Sequence, residues 1–406
     1  MKSERAKVLH EILGAPVLSY VLKAVREANI SDILVVVGYQ ADLVRKATGD
    51  GVKFVEQKEQ LGTGHAVLCC EKALAGFDGA IFILAGDAPL VSAASLRAML
   101  DTQRTTGVAA VFLSASLENP SGYGRVLRAA DGRFIRVVED ADATAQEKTI
   151  REVNSGAYLF HAPRLFEALR KVRTENVQGE YYLPDVLPVL GKVAVVQAQD
   201  ATEAMGVNSR RELAALSEIL RRRILERHMD AGVTIVDPGT TYIEDEVRIE
   251  PDTVVEPFSV IRRGVAIGPG CHVGPFAHLR GAAVLEEKAE VGNFVEVKKS
   301  RIGPRSKAKH LSYLGDATLG ADVNIGAGTI TANYDGVRKH ETFIDDGAST
   351  GSNTVLVAPV RLGRGAKTGA GAVVPKGEVR PGSVVVGVPA RPIKKRKLAR
   401  AGRGRG

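Results

Sequence analysis

Residues 243–302 read IEDEVRIEPDTVVEPFSVIRRGVAIGPGCHVGPFAHLRGAAVLEEKAEVGNFVEVKKSRI. Stepping by six from Ile243 gives Ile249, Val255, Ile261, Ile267, Val273, Leu279, Leu285, Val291 and Val297, an unbroken aliphatic series. Neither the 3.6-residue period of a helix nor the two-residue period of a strand produces that spacing. Gly, Pro and Asp crowd the positions after the aliphatic residue, as in IGPG, VGPF, IGAG and LGRG. Self-similarity at six residues is the signature of a β-helix, in which each repeat supplies one short strand and turn and stacks its aliphatic side chain into a continuous core. An ordinary antiparallel sandwich would not hold this register.

Beyond Val297 the step shortens to reach Ile302. The series returns at Leu319 and Ile325, then at Ile344, Leu356, Leu362 and Val374, with Thr350 and Thr368 in phase. Residues 303–318 and 332–343 break the period. Insertions in a solenoid map to loops on one face, often the binding face, and these two stretches hold His310, Tyr313, Asn333 and Tyr334. His272 and His278, six apart, could stack on successive coils, but a carbonic-anhydrase type of metal site needs a third histidine.

Toward the N-terminus, residues 209–231 read as a connecting helix. Ser209 and Glu212 form a capping box, Leu213, Leu216, Leu220 and Leu225 give apolar spacing, and Gly232 stops it. From Met1 to Asn208, short apolar runs alternate with helical patterns. Strands are expected at Ile33 to Val37, Ala80 to Leu84, Ala109 to Leu113, Ala157 to Phe160 and Val193 to Gln197, and helices at Val17 to Ala28 and Ala93 to Gln103. Such alternation predicts a layered α/β domain with a mostly parallel sheet, whose ligands sit at the carboxyl ends of the strands.

The 406-residue chain is long enough for two or three domains, and its 45% hydrophobic and 25% charged content is that of a globular protein rather than a disordered one. No apolar run of eighteen residues occurs and the N-terminus has no signal core, so the reading is a cytoplasmic protein with no membrane partner. Cys69, Cys70 and Cys271 lack metal-ligand spacing and are expected as reduced thiols. Much of the net charge of +8 is local to residues 394–406, read as a solvated basic tail rather than a nucleic-acid site.

Two segments of the first domain point to chemistry. In EQLGTGHAV, residues 59–67, Gly62, Thr63 and Gly64 either let backbone approach a base or phosphate or make a structural turn. In IFILAGDAPL, residues 81–90, an apolar strand runs into Gly86 and Asp87. A carboxylate there is either a hard-cation ligand such as one for magnesium or a helix N-cap.

The succession of QLGTGHA, GDAPL, SGYGR, EVNSG, QGEYYLPD and GVNSR, followed by GPFAHLR, VGNFVEVKKS, HLSYLGD, NIGAGTITANYDG and GSNT, resembles the bacterial GlmU family from residue 1 to about 390. That family is the bifunctional N-acetylglucosamine-1-phosphate uridylyltransferase and glucosamine-1-phosphate acetyltransferase of UDP-N-acetylglucosamine biosynthesis. The resemblance implies an α/β, Rossmann-like nucleotidyltransferase domain at 1–208, a linker helix at 209–231, a left-handed parallel β-helix at 232–393 and the tail at 394–406. It implies Mg2+ and the co-substrates UTP and acetyl-CoA, a homotrimer, and a place in cell-wall and lipopolysaccharide precursor supply. In the first domain it assigns Mg2+ to Asp87 and Asn208, nucleotide contacts to Lys7, Gln57, Gly62 and Thr63, and sugar contacts to Gly124, Glu139 and Asn154. In the second it assigns His310 as the base that deprotonates the attacking amine, a task suited to imidazole. Arg280, Lys298, Tyr313 and Asn324 are matched to glucosamine-1-phosphate, and Ala327, Asn333, Tyr334, Ser352 and Ala370 to acetyl-CoA.

The sequence departs from that pattern in three places. Family members open with an apolar strand and a loop like LAAGxGTR, whereas Met1 here stands at the end of that loop, so the first strand is expected to be missing from the sheet. Either an upstream start was missed and the enzyme is bifunctional, or the protein is an acetyltransferase only, with a degenerate N-terminal domain. Gly281 replaces the proline that usually follows the arginine, and Gly387 falls where a basic residue often meets CoA.

Overall fold

The computed structural model describes residues 1–392 and divides into two compact units, Met1–Glu218 and the chain from Ile219 on. The basic tail read at 394–406 lies outside the described residues. Helix Arg210–Asp230 contains the dividing point. Its capping box forms as read, with Glu212 N donating to Ser209 Oγ at 3.2 Å and Ser209 N to Glu212 Oε2 at 2.7 Å. Leu216, Leu220, Ile224 and Leu225 form its buried stripe, and Gly232 ends it at φ 90°.

In the first unit the expected strands form at Leu34–Val37, Ala80–Leu84, Ala110–Ser116, Glu152–His161 and Val193–Gln197. Helices Val17–Glu27 and Ala93–Thr106 pack Val21, Val25, Leu96 and Met99 onto Val111, Leu113 and Leu159. The sheet is mixed rather than mostly parallel. Glu152–His161 runs antiparallel between Ala80–Leu84 and Ala110–Ser116, and it also meets the hairpin of Arg125–Arg128 and Phe134–Val138. Periodicity missed that hairpin because its two strands are short and are interrupted by Arg125, Arg128 and Arg136. Leu34–Val37 pairs with Lys53–Glu56 in a separate two-stranded parallel sheet. Leu34–Val37 is thus not hydrogen-bonded to Ala80–Leu84, and Ile81 to Leu84 are only partly buried.

The second unit is a three-sided parallel β-helix. Successive strands fall in turn on three sheets: a first face through Val254–Val255, His272–Val273 and Glu290–Asn293, a second through Val260–Ile261, His278–Arg280 and Glu296–Lys298, and a third through Ala266–Ile267, Val284–Leu285 and Arg301–Ile302. Every member of the aliphatic series from Ile243 to Val297 points into the core and is buried, each worth roughly 1.5–3 kcal/mol of transfer free energy.

Register explains the two breaks. Neighbouring strands are 18 residues apart at Val254 and His272 but 17 at Glu290 and Lys307. The first break is thus a one-residue shortening of the coil and not an inserted loop. Residues 303–318 form strands Lys307–His310, Tyr313–Gly315 and Ala317–Leu319, in register with their neighbours. The tight approach uses Gly303, where a Cβ would lie 2.2 Å from Gly320 O. Only 332–343 is an insertion: the step at Thr318 and Phe343 is 25, and Tyr334 bridges Lys339 in a hairpin. His272 and His278 do not stack. Six residues is one face, not one coil, so His272 lies on the first face beside Glu256 and His278 on the second.

At the corner between the first and second faces, Phe258, Phe276, Phe294 and Leu311 adopt φ of 59°, 55°, 55° and 48°. The three rings stack at 4.8 Å and remain about half exposed.

Candidate active sites

In the first unit, strand Ala80–Leu84 runs out through Ala85 and Gly86 to Asp87. Asp87 is not a helix cap, because Ser92 caps Ala93–Thr106, its hydroxyl accepting from Ser95 N at 3.1 Å. The Asp87 carboxylate pairs with the Lys7 ammonium. Lys7 Nζ also donates to Asn208 Oδ1 at 2.9 Å, and Val207 N donates to Asp87 O at 3.0 Å. One nitrogen touches both oxygens, so a carboxylate and an amide oxygen separated by most of the domain converge on one cation-sized point. Two hard oxygen donors, the carboxylate 22% exposed, fit a divalent cation that keeps part of its shell for water and phosphate.

Gln57 Nε2 donates to Gly62 O at 3.1 Å and lies 3.1 Å from His65 Nδ1. The glycine loop is shaped by a crossing segment: a Cβ on Gly62 would meet Tyr181 O at 2.7 Å. Gly64 N already donates to Tyr181 O, and the Thr63 hydroxyl accepts from Leu183 N at 3.0 Å. The Gly64 amide is therefore spent on the fold, while the Thr63 hydroxyl keeps its proton to donate. Farther along, Gly124 O accepts from Asn154 N at 2.9 Å, and a Cβ on Gly124 would lie 3.2 Å from Glu139 Oε1. The structure thus gathers Gly124, Glu139 and Asn154. Burial, with Asp185, Asp142 and Asp140 nearby, raises the Glu139 carboxyl above its usual range, and burial likewise pushes the Tyr182 phenol up to about 12.

In the second unit His310 ends strand Lys307–His310 and faces an open groove of about 580 Å³ with His272, Glu290, Asn293 and Lys309. Backbone bonds from Leu311 N to Asn293 O, Gly328 N to His310 O, Asn353 N to Ala327 O and Gly371 N to Ser352 O stack Asn293, His310, Ala327, Ser352 and Ala370 in one column. These residues, dispersed in sequence, occur at successive coils, about 4.8 Å apart. Beside the column run Gly326 and Gly351, where a Cβ would strike the next coil's backbone at 2.5 Å. Asn324 lies on the same first face, in register with Lys307.

Arg280, Lys298 and Tyr313 lie on the second face. Arg280 and Lys298 are register neighbours, Arg280 Nε donates to Glu296 Oε1 at 2.6 Å, and Glu296 faces Tyr313. The Tyr313 hydroxyl covers Gly315, where a Cβ would come 2.8 Å from Asn333 Nδ2. The residues matched to glucosamine-1-phosphate are therefore split: three stand on the second face and Asn324 with His310 on the first, across the Leu311 corner. Asn333 is buried and its amide donates to Asp316 Oδ2 at 2.5 Å. Tyr334 is 60% exposed, and its hydroxyl donates to Gly336 O within the hairpin.

Residues 1–184 match the family of MobA-like NTP transferase domains. The whole chain is similar to the Bifunctional protein GlmU of Rubrobacter xylanophilus, at 44% identity over 100% of this chain and 93% of the relative. It is 45% identical to that of Pelotomaculum thermopropionicum, over 89% and 87% of the two chains, and 40% identical to that of Geobacillus thermodenitrificans, over 92% and 90%. The chain belongs to the GlmU family.

Within the GlmU family reading, the two glycine departures are backbone choices. Gly281 sits at φ 66°, a conformation closed to proline, and Gly387 at φ 90°. Sequence reading missed three residues of the first unit. Tyr123 lies near Asp87, its hydroxyl accepting from Gly206 N at 3.4 Å, and burial with nearby Glu212 and Asp87 raises its pKa. Arg125, 1% exposed, pairs with Asp140 at 2.9 Å and donates to Tyr123 O. Both belong to the motif SGYGR, as its centre and its last residue. Glu203 gave no motif signal. No helix among the described residues is long and apolar enough to cross a membrane.

Proposed function

We propose that this chain carries out two reactions: acetyl transfer from acetyl-CoA to the amine of glucosamine-1-phosphate, then Mg2+-dependent uridylyl transfer from UTP to N-acetylglucosamine-1-phosphate with release of pyrophosphate. The observation that carries the reading is the meeting of Lys7, Asp87 and Asn208 at the end of a sheet strand, where ligands of α/β folds bind. Asp87 and Asn208 would hold Mg2+, which neutralises phosphate charge and fixes the triphosphate. Lys7 supplies a further point charge to phosphate. Glu139 and Asn154, beside Gly124, accept and donate to sugar hydroxyls. Positioning does most of the catalysis, since the sugar phosphate is itself the nucleophile.

For acetyl transfer, His310 accepts the proton of the attacking amine. Its place at the head of the column Ala327, Ser352 and Ala370 supports an extended thioester ligand running along the small side chains toward the imidazole. The adjacent cations Arg280 and Lys298 suit a phosphate. Their separation from His310 and Asn324 by the Leu311 corner favours a site completed by a second copy, and hence the homotrimer. The exposed phenylalanine stack at that corner supports the same assembly.

The test follows both products on the full chain. Asp87→Asn is expected to abolish pyrophosphate release, a loss of at least about 10²-fold, while leaving CoA thiol release intact; His310→Ala is expected to do the reverse. Pyrophosphate release that survives Asp87→Asn would remove the metal assignment. Absence of pyrophosphate release from the unmutated chain would favour an acetyltransferase alone.

A further inference from the structure

Asp87 and Asn208 come from distant segments, and a buried carboxylate ties those segments together. Glu203 is 4% exposed. Its Oε2 accepts from Ser92 N at 2.9 Å, and its Oε1 accepts from Ser92 Oγ at 3.1 Å and Ser95 Oγ at 3.0 Å. Ser92 and Ser95 open the helix that follows Asp87, while Glu203 belongs to the turn Ala201–Ala204 that leads into Asn208. The carboxylate faces the positive end of a helix of 14 residues, where negative charge is favoured. Nearer the pair, the Val207 N to Asp87 O bond continues the same seam. Charge-assisted bonds are the strong kind, and a carboxylate as buried as Glu203 has little water at hand to replace them.

We propose that Glu203 is a positioning residue for the first site: it sets the separation of the Asp87 and Asn208 oxygens and thereby the affinity for a divalent cation. The inference rests on the reading of Asp87 and Asn208 as the cation's ligands. Glu203 does not touch the cation point and acts through Ser92, Ser95 and the two segments they anchor.

The test is direct Mn2+ binding to the full chain, measured by the electron paramagnetic resonance signal of free Mn2+. Glu203→Gln keeps the side chain's size but replaces one acceptor with an NH2 group. It is expected to weaken Mn2+ binding by about 10-fold or more, the usual effect of losing an outer-shell partner, with CoA thiol release unchanged. Leu96→Ala, fully buried in the same helix, separates positioning from general loosening: it should lower Tm and leave Mn2+ affinity unchanged. Ser95→Ala, which removes one of the three bonds, should give a smaller loss of affinity and serves if Glu203→Gln does not fold. The proposal is overturned if Glu203→Gln, or Ser95→Ala in its place, binds Mn2+ as the unmutated chain does. It is equally overturned if Leu96→Ala weakens binding as much as Glu203→Gln. Asp87→Asn tells the two ideas apart. If it leaves Mn2+ binding intact, the ligand reading fails; if it abolishes binding while Glu203→Gln does not, only the positioning role fails.

Discussion

Glu139 lies against Gly124 with Asp140, Asp142 and Asp185 around it, and its carboxyl is raised by burial first and by those charges second. A carboxyl whose pKa is higher folded than unfolded weakens the fold as pH rises through its unfolded value, so at neutral pH Glu139 is a net burden. Glu139→Gln is expected to stabilise the first unit at pH 7 by of the order of 1 kcal/mol, about 2–4 °C in Tm, while raising the KM for the sugar phosphate. Thermal melts paired with steady-state kinetics check both halves, and a Tm that falls would refute the burden. His228 is the opposite case. It is buried, its pKa is lowered to about 4 by burial and then by Arg227, and its Nε2 has no hydrogen-bond partner among the described residues. Its neutral form contributes stability that is present above about 6.5 and lost as pH falls toward 4, up to about 3 kcal/mol. Urea unfolding of the second unit should show that slope between pH 6.5 and 4, and His228→Leu should remove it.

At the scale of the element, the coil of the β-helix tolerates some glycines being replaced and not others. Gly326 has an ordinary φ, but a Cβ there would lie 2.5 Å from Thr350 O of the next coil. Gly365 has a positive φ of 65° with open space around it. Gly365→Ala should therefore cost only the left-handed strain of about 1–2 kcal/mol. Gly326→Ala must push two coils apart, disrupting the column of His310, Ala327 and Ser352. Denaturant midpoints rank the two variants, and CoA thiol release should collapse in Gly326→Ala alone. The same geometry explains why register was only partly legible. The period of six is imposed by one inward aliphatic per face, but a 17-residue coil and an insertion both look like lost phase. Stacked strands tell them apart, because a shortened coil keeps every hydrogen bond in its ladder.

For the molecule as a whole, the stack of Phe258, Phe276 and Phe294 holds apolar rings at a corner where the backbone prefers Gly, Asn or Asp. On the trimer proposed above, Phe276→Glu in this stack is expected to lower the sedimenting mass to that of one chain and to reduce CoA thiol release, with pyrophosphate release retained; a mass unchanged by the substitution would remove this corner from the proposed interface. The β-helix, the helix that follows Ser209 and the family are all legible along the chain, because each rests on local spacing or on ordered motifs. The place of Asp87 after a strand is legible in the same way, since apolar runs and glycines are local signals. That Lys7, Asp87 and Asn208 meet, that Gly64 spends its amide on Tyr181, that Asn324 stands apart from Arg280 and Lys298, and that Glu203 bonds to Ser92 emerges only on folding. The physical reason is common to all four. Side chains far apart in sequence are brought together by the sheet and the coil register, and no periodicity along the chain encodes which of them will face each other.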